Sequence, residues 1–297
     1  MGIQYASNRE EYDVTSSHSP YDLFQYTTVG AEIPIYRFYK TEGKKLKYGM
    51  AITAALGFHL WWDPFEWYIS PIITVDYRIA PVQLKYIRFL KGSTLKNYSL
   101  KLVPYNHEST HIGDDLTLYR IRKNYPITRV NVSYAYTEVH LTLNDPLTGN
   151  EQNNAFRIGL LYRINGKKDY YSINEGEGDA SLAKPTGIRA EYFVQYHLIR
   201  ARGCLTWKNW TNIISLELRN RAQYQYPLFS TVTGNMEVSA LGPKRVNTIN
   251  FYIGYRYLKQ RGPTLGFYVH AYYGINPYGQ FRNQGDFKSI GCTVVIE

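Results

Sequence analysis

The densest run of reactive side chains is Asn106-His107-Glu108-Ser109-Thr110-His111-Ile112-Gly113-Asp114-Asp115. Read as text, His107 to His111 is the H-E-x-x-H pattern of zinc peptidases, in which two imidazoles hold the metal and the Glu acts as base. That chemistry needs a helix, because only a helix brings residues four apart onto one face close enough to share a metal. Here the run continues an alternating segment through Tyr98, Leu100 and Leu102, with Pro104 before it and Gly113 after it. In extended backbone His107 and His111 stand about 13 Å apart, too far to share an ion. No metal and no other cofactor is expected.

Extended geometry suits another chemistry. His107 and Ser109 share one face of a strand, about 7 Å apart along it, and Asp114 or Asp115 from the following loop can orient the imidazole. The set would make an acyl hydrolase with His107 as base and Ser109 as nucleophile, similar in kind to outer-membrane lipid A deacylases and phospholipases. Simple alternation, however, groups His107 and Ser109 with Lys101, Val103 and Tyr105 on the polar face. A lipid hydrolase needs its nucleophile on the apolar face, and a bulge near Pro104 would reverse the facing. The plainer reading is that His107, Ser109, His111 and Asp114 hydrogen-bond a long loop back to its strands, since polar groups at such a junction need partners in any case.

A second cluster, Asn276-Pro277-Tyr278-Gly279-Gln280-Phe281-Arg282, is turn chemistry. Its functional reading is that Asn276, Tyr278, Gln280 and Arg282 join His111 and its neighbours at one mouth of the molecule.

The elements that must position these residues are strands. From Lys45 to Trp62 the even positions Leu46, Tyr48, Met50, Ile52, Leu56, Phe58 and Leu60 are apolar, while odd positions include Lys45, Lys47, Thr53 and His59. That period of two makes one greasy and one polar face. It recurs at 67–77, 156–163, 188–198, 214–218, 249–257, 265–273 and 290–296, and more weakly near 31–39, 82–90, 97–106 and 129–143. About twelve strands of spanning length result. Greasy faces ending in Tyr or Trp match aromatic girdles, and the long gaps near 107–128, 165–187 and 222–245 alternate with short ones near 62–65, 91–96 and 259–263. The expected architecture is all-β: a transmembrane antiparallel up-and-down β-barrel over 28–297 in a bacterial outer membrane, preceded by a polar arm or leader over 1–27.

The polar face must then line the lumen. It carries Arg157, Arg163, Arg189, Arg219, Arg221 and Arg256 against few carboxylates, chiefly Glu66, Asp76, Glu191 and Glu217. Much of the net charge of +10 is therefore expected inside, either filling the barrel or leaving an anion-favouring passage. The remaining Lys and Arg are scattered, as at Lys44, Lys45, Lys167 and Lys168, with no basic helix, so nucleic acid is not an expected partner. Two cysteines, Cys204 and Cys292, do not make a disulfide scaffold, and Cys292 falls on an apolar face. Met1 to Tyr12 lacks the charged start and apolar core of a signal peptide, so either an export signal has been removed before this numbering or the compartment is a different one.

The His107–Asp115 run, Val75-Asp76-Tyr77-Arg78, Arg129-Val130-Asn131-Val132-Ser133-Tyr134 and Asn276–Phe281 resemble, in the same order, the motifs of an uncharacterised bacterial outer-membrane family known only as a domain of unknown function. The resemblance spans about residues 28–297. In that family a second Ser stands where Thr110 is and an acid such as Glu where Asp115 is, and no Glu is required at Glu108. It implies the compartment and the barrel, and supplies no activity.

Three functions follow from the sequence: a barrel that binds, transports or supports the envelope; an outer-leaflet lipid A or phospholipid acyl hydrolase built on His107 and Ser109; and a scaffold subunit of an envelope complex. The expected partners are outer-membrane lipid, lipopolysaccharide and other envelope proteins.

Overall fold

The computed structural model describes residues 2–7, 23–43, 45–62, 72–91, 95–112, 129–145, 154–164, 170–173, 189–200, 210–223, 227–229, 236–238, 244–257, 265–275 and 287–296. The strands are β1 Gly2–Ser7, β2 Leu23–Glu42, β3 Lys45–Trp62, β4 Ile72–Phe89, β5 Asn97–Ile112, β6 Arg129–Leu143, β7 Asn154–Arg163, β8 Tyr170–Ile173, β9 Ala190–Arg200, β10 Trp210–Gln223, β11 Pro227–Phe229, β12 Met236–Val238, β13 Lys244–Tyr257, β14 Leu265–Gly274 and β15 Phe287–Ile296.

The hydrogen-bonded order is β5-β4-β3-β2-β1-β15-β14-β13-β10-β9-β7-β6-β8, and β5 also pairs with β6. Leaving aside the short β8, which extends β6, every strand of this order has an antiparallel neighbour on each side. β1 covers only Leu23–Tyr26 of β2, so among the described residues 27–42 of β2 are paired on the β3 side alone.

Two corrections to the sequence reading follow. The segment read as a polar arm supplies β1, which pairs with both β15 and β2, and also the start of β2. Its alternation is too short to register as a period. Conversely, the segments at 67–77 and 82–90 belong to one strand, β4, whose apolar parity switches across Ala80-Pro81. The connection between β3 and β4 covers 63–71 and lies at the same end as 113–128, 164–189, 224–243 and 275–286. The opposite end has 43–44, 90–96, 144–153, 201–209 and 258–264. Long loops therefore do collect at one end, although the gap read as 62–65 is not a tight turn on the other side.

Side chains sort by parity. Ile35, Met50, Ile79, Leu100, Leu160, Leu218, Val269 and Ile290 point outward and are exposed, making an apolar outer belt. Ser99, Asn106, Glu138, Arg163, Glu191, Thr211 and Thr248 point inward and are buried. The interior also holds an apolar layer, where Trp61 packs edge-on against Phe287 with ring centres 6.4 Å apart and Tyr272 packs on the same ring. Elsewhere Gly159 makes room for a ring: a Cβ there would lie 2.3 Å from Cε1 of Phe193, its cross-strand partner.

Pro34, Pro81 and Pro104 mark the irregular ladders on one side of the wall. Ile35 is extra between the pairs Pro34–Thr53 and Tyr36–Ile52. Ala80 and Pro81 together oppose Asn106, and Pro104 and Tyr105 together oppose Thr137. Because the registers Pro34–Thr53, Thr53–Gln83 and Val82–Tyr105 are continuous, these bulges form one belt across β2 to β6. Proline has no N–H to give a ladder, so it is tolerated where an extra residue already interrupts one.

Candidate functional site on the outer wall

The belt decides which way the His107 run faces. Before it, Ser99, Lys101 and Val103 point inward and Leu100 points outward. Beyond it, Asn106, Glu108 and Thr110 point inward, and Tyr105, 44% exposed, points outward. His107 and Ser109 consequently stand on the outer wall, beside Ile79 and Tyr77 of β4, their register partners, which are both exposed there. Simple alternation had put them in the lumen. The extra residue at Pro104-Tyr105 is the physical reason for the reversal. The Thr137 hydroxyl donates to the Pro104 carbonyl at 2.9 Å, satisfying an acceptor that the bulge would otherwise leave free.

On the same face, Ser133 of β6 is the register partner of Ser109, and its Oγ lies 3.5 Å from His107 Nε2. The site is thus one imidazole and two hydroxyls on adjacent strands, all half-buried. Ser133 lies within the Arg129–Tyr134 motif, but only the β5–β6 register places it against His107. Of the other proposed site residues, His111 lies in β5, its side chain outside the described residues. Asp114, Asp115, Asn276, Tyr278, Gln280 and Arg282 lie outside the described residues altogether. Among the described residues no group of three His, Cys, Asp or Glu is placed to hold a metal ion.

The inner side of the same strands carries a dense polar network. Glu138 accepts from Arg78 Nη2 at 2.6 Å and from Asn106 Nδ2 at 3.1 Å, and its second oxygen lies 3.0 Å from His140 Nε2. Glu108 accepts from the Tyr136 hydroxyl at 3.2 Å. Further round, Glu191 pairs with Arg163 at 2.9 Å and lies 3.7 Å from Arg221, all three deeply buried. Arg163 also stacks over Tyr134, and Arg219 stacks over Phe193. Lys85 pairs with Asp145 at 2.7 Å, and Ser99 donates to the same carboxylate.

Arg157, Glu191, Glu217 and Arg219, read from the sequence as lumen groups, line an interior cavity of about 690 Å³. Arg163 lies inside through its bond to Glu191, and Arg256 is on the inward parity of β13. Arg189 does not line the lumen: it is exposed just before β9, where its carbonyl accepts from Arg163 N at 3.0 Å. The excess of internal positive charge is small among the described residues, since with Arg163 and Arg256 the interior holds eight cations against seven carboxylates. Seven carboxylates (Glu32, Asp76, Glu108, Glu138, Asp145, Glu191, Glu217) face six Lys or Arg (Arg78, Lys85, Lys101, Arg157, Arg219, Arg221) around the cavity. Glu32, Glu108, Glu138 and Asp145 were not read as lumen groups, because only strand pairing brings them there.

An all-β wall with an apolar outer belt, a charged and hydrogen-bonded interior and long loops gathered at one end defines an integral outer-membrane β-barrel. No family model matches the chain, and no curated protein matches it. Among solved structures it is similar to outer membrane phospholipase A from Escherichia coli, at 13% identity over 100% of this chain and 94% of that one, with a TM-score of 0.49. The Salmonella typhi outer membrane phospholipase, solved as a dimer with bound calcium, matches at 13% identity over 100% of this chain and 89% of that one, with a TM-score of 0.48. Pseudomonas aeruginosa OpdL matches at 10% identity over 99% of this chain and 96% of that one, with a TM-score of 0.26.

Proposed function

We propose that this barrel is an acyl ester hydrolase acting on lipid of the outer leaflet, with His107 as base and Ser109 as nucleophile. The observation that carries the reading is the bulge at Pro104-Tyr105, which turns both side chains toward the membrane and toward the loop-rich end of the wall. A neutral imidazole has one donor and one acceptor nitrogen. Ser133 Oγ, 3.5 Å from Nε2, accepts from that nitrogen and fixes the ring, the task first assigned to Asp114 or Asp115. In the proposed reaction the other nitrogen takes the Ser109 proton. Ser109 Oγ attacks the ester carbonyl carbon, the imidazolium returns the proton to the departing glycerol or sugar oxygen, and water then releases the fatty acid through the same base. General base catalysis of this kind supplies about 10²–10⁴ in rate. The mixture of both signs around the cavity among the described residues weighs against a selective anion passage.

The test is release of fatty acid from phospholipid and lipopolysaccharide vesicles by the folded barrel. Loss of release on Ser109→Ala, with folding retained, supports the reading, and equal turnover by that variant overturns it.

A further inference from the structure

Glu138 sits inside the barrel, opposite Val103, one residue before the place where Pro104 and Tyr105 crowd against Thr137. It is 5% exposed, and its partner Asn106, the first inward residue beyond the bulge, is fully buried. A single carboxylate oxygen therefore takes a hydrogen bond from beyond the β5 bulge, through Asn106 Nδ2 at 3.1 Å, and from beyond the β4 bulge, through Arg78 Nη2 at 2.6 Å. The backbone of β5 has two inward-outward settings past an extra residue, and nothing in the local alternation chooses between them. Asn106 must point inward to reach Glu138, and the residue after it must then point outward.

We propose that Glu138 is a positioning residue: from inside the barrel it holds Asn106 inward across the bulge and so keeps His107 and Ser109 on the lipid face. The inference rests on the hydrolase reading for its consequence in activity, but the facing of the strand can be measured without it. Glu138 touches no lipid and no reacting atom. Its effect passes through the backbone of residues 104–107.

The experiment places a nitroxide on Ser109→Cys in full-length chain lacking Cys204 and Cys292, folded into phosphatidylethanolamine vesicles. Relaxation by lipid-soluble oxygen is compared with relaxation by a water-soluble nickel chelate, and hydrolysis is measured in parallel with Ser109 intact. With Glu138 in place the label is relaxed preferentially by oxygen. In Glu138→Leu that preference is lost and hydrolysis falls about a hundredfold, the scale of an ångström-level misplacement, whereas Glu138→Gln, which keeps the acceptor oxygen, restores both. A folded Glu138→Leu barrel with unchanged label and unchanged turnover overturns the proposal. If Glu138→Leu does not fold, Asn106→Ala takes its place, since it leaves Glu138 paired with Arg78; loss of the oxygen preference supports the clamp and its retention overturns it. A wild-type barrel that hydrolyses nothing, while the label still responds to Glu138, ends the hydrolase reading and leaves the clamp standing.

Discussion

His107 Nε2 reaches to within 3.5 Å of Ser133 Oγ, across the β5–β6 ladder and on the outer side of the wall. The contact joins residues 26 apart in sequence and gives the imidazole a partner from the neighbouring strand.

His107→Ala is expected to lower fatty-acid release at least about a hundredfold, the lower range for general base catalysis. The side chain is half-buried and bears no strut of the wall, so its loss is expected to change stability by under about 1 kcal/mol. Denaturant unfolding in vesicles, followed by tryptophan fluorescence, checks the second half. A large drop in stability would mean that His107 is structural.

Ser109→Ala and Ser133→Ala separate nucleophile from orienter. The first is expected to abolish turnover, and the second to reduce it about tenfold by freeing the ring, with substrate affinity little changed. The reverse order in steady-state rates would exchange the two roles.

Glu191 lies between Arg163 and Arg221, and Arg163 is itself almost wholly buried. Glu191→Leu leaves an uncompensated cation inside the wall and is expected to cost about 3–5 kcal/mol. The readout is the urea midpoint of the folded band on unheated gels. A midpoint equal to that of the parent would show the pair to be dispensable.

Gly159→Val is expected to destabilise by about 1–3 kcal/mol, because the new side chain meets the Phe193 ring. Gly57→Ala is the control: the nearest atom to its added Cβ is Val29 O at 3.5 Å, an ordinary contact. Unfolding midpoints that move equally for both would dissociate stability from the ring.

Planar-bilayer recordings are expected to show no preference for anions over cations. Strong anion selectivity would require a path that avoids the paired groups around the cavity.

Much of the wall was legible because a period of two survives over long runs, as from Leu46 to Leu60. What alternation cannot reveal is where the period slips. Val75, Tyr77 and Ile79 are outward on odd numbers, while Val82, Leu84 and Tyr86 are outward on even ones. In sequence that switch reads as two strands, and in the structure it is one strand with a bulge. The same slip at Pro104 hid the facing of His107, although the proline itself marked the place. Ser133 and Glu138 depend on register between strands, which no single stretch encodes.

The paired interior also bears on how such a chain enters a bilayer. Arg78, Arg163 and Arg221 sit on three different strands, β4, β7 and β10, and their counter-charges come from others, Glu138 of β6 and Glu191 of β9. A strand inserting alone would carry its arginine through hydrocarbon unmatched, at a cost of about 2–4 kcal/mol near the midplane. Partners such as Arg78 and Glu138, 60 residues apart, must therefore meet before or during passage. Insertion of this wall is concerted, with neighbouring strands entering together and their charges already neutralised by one another.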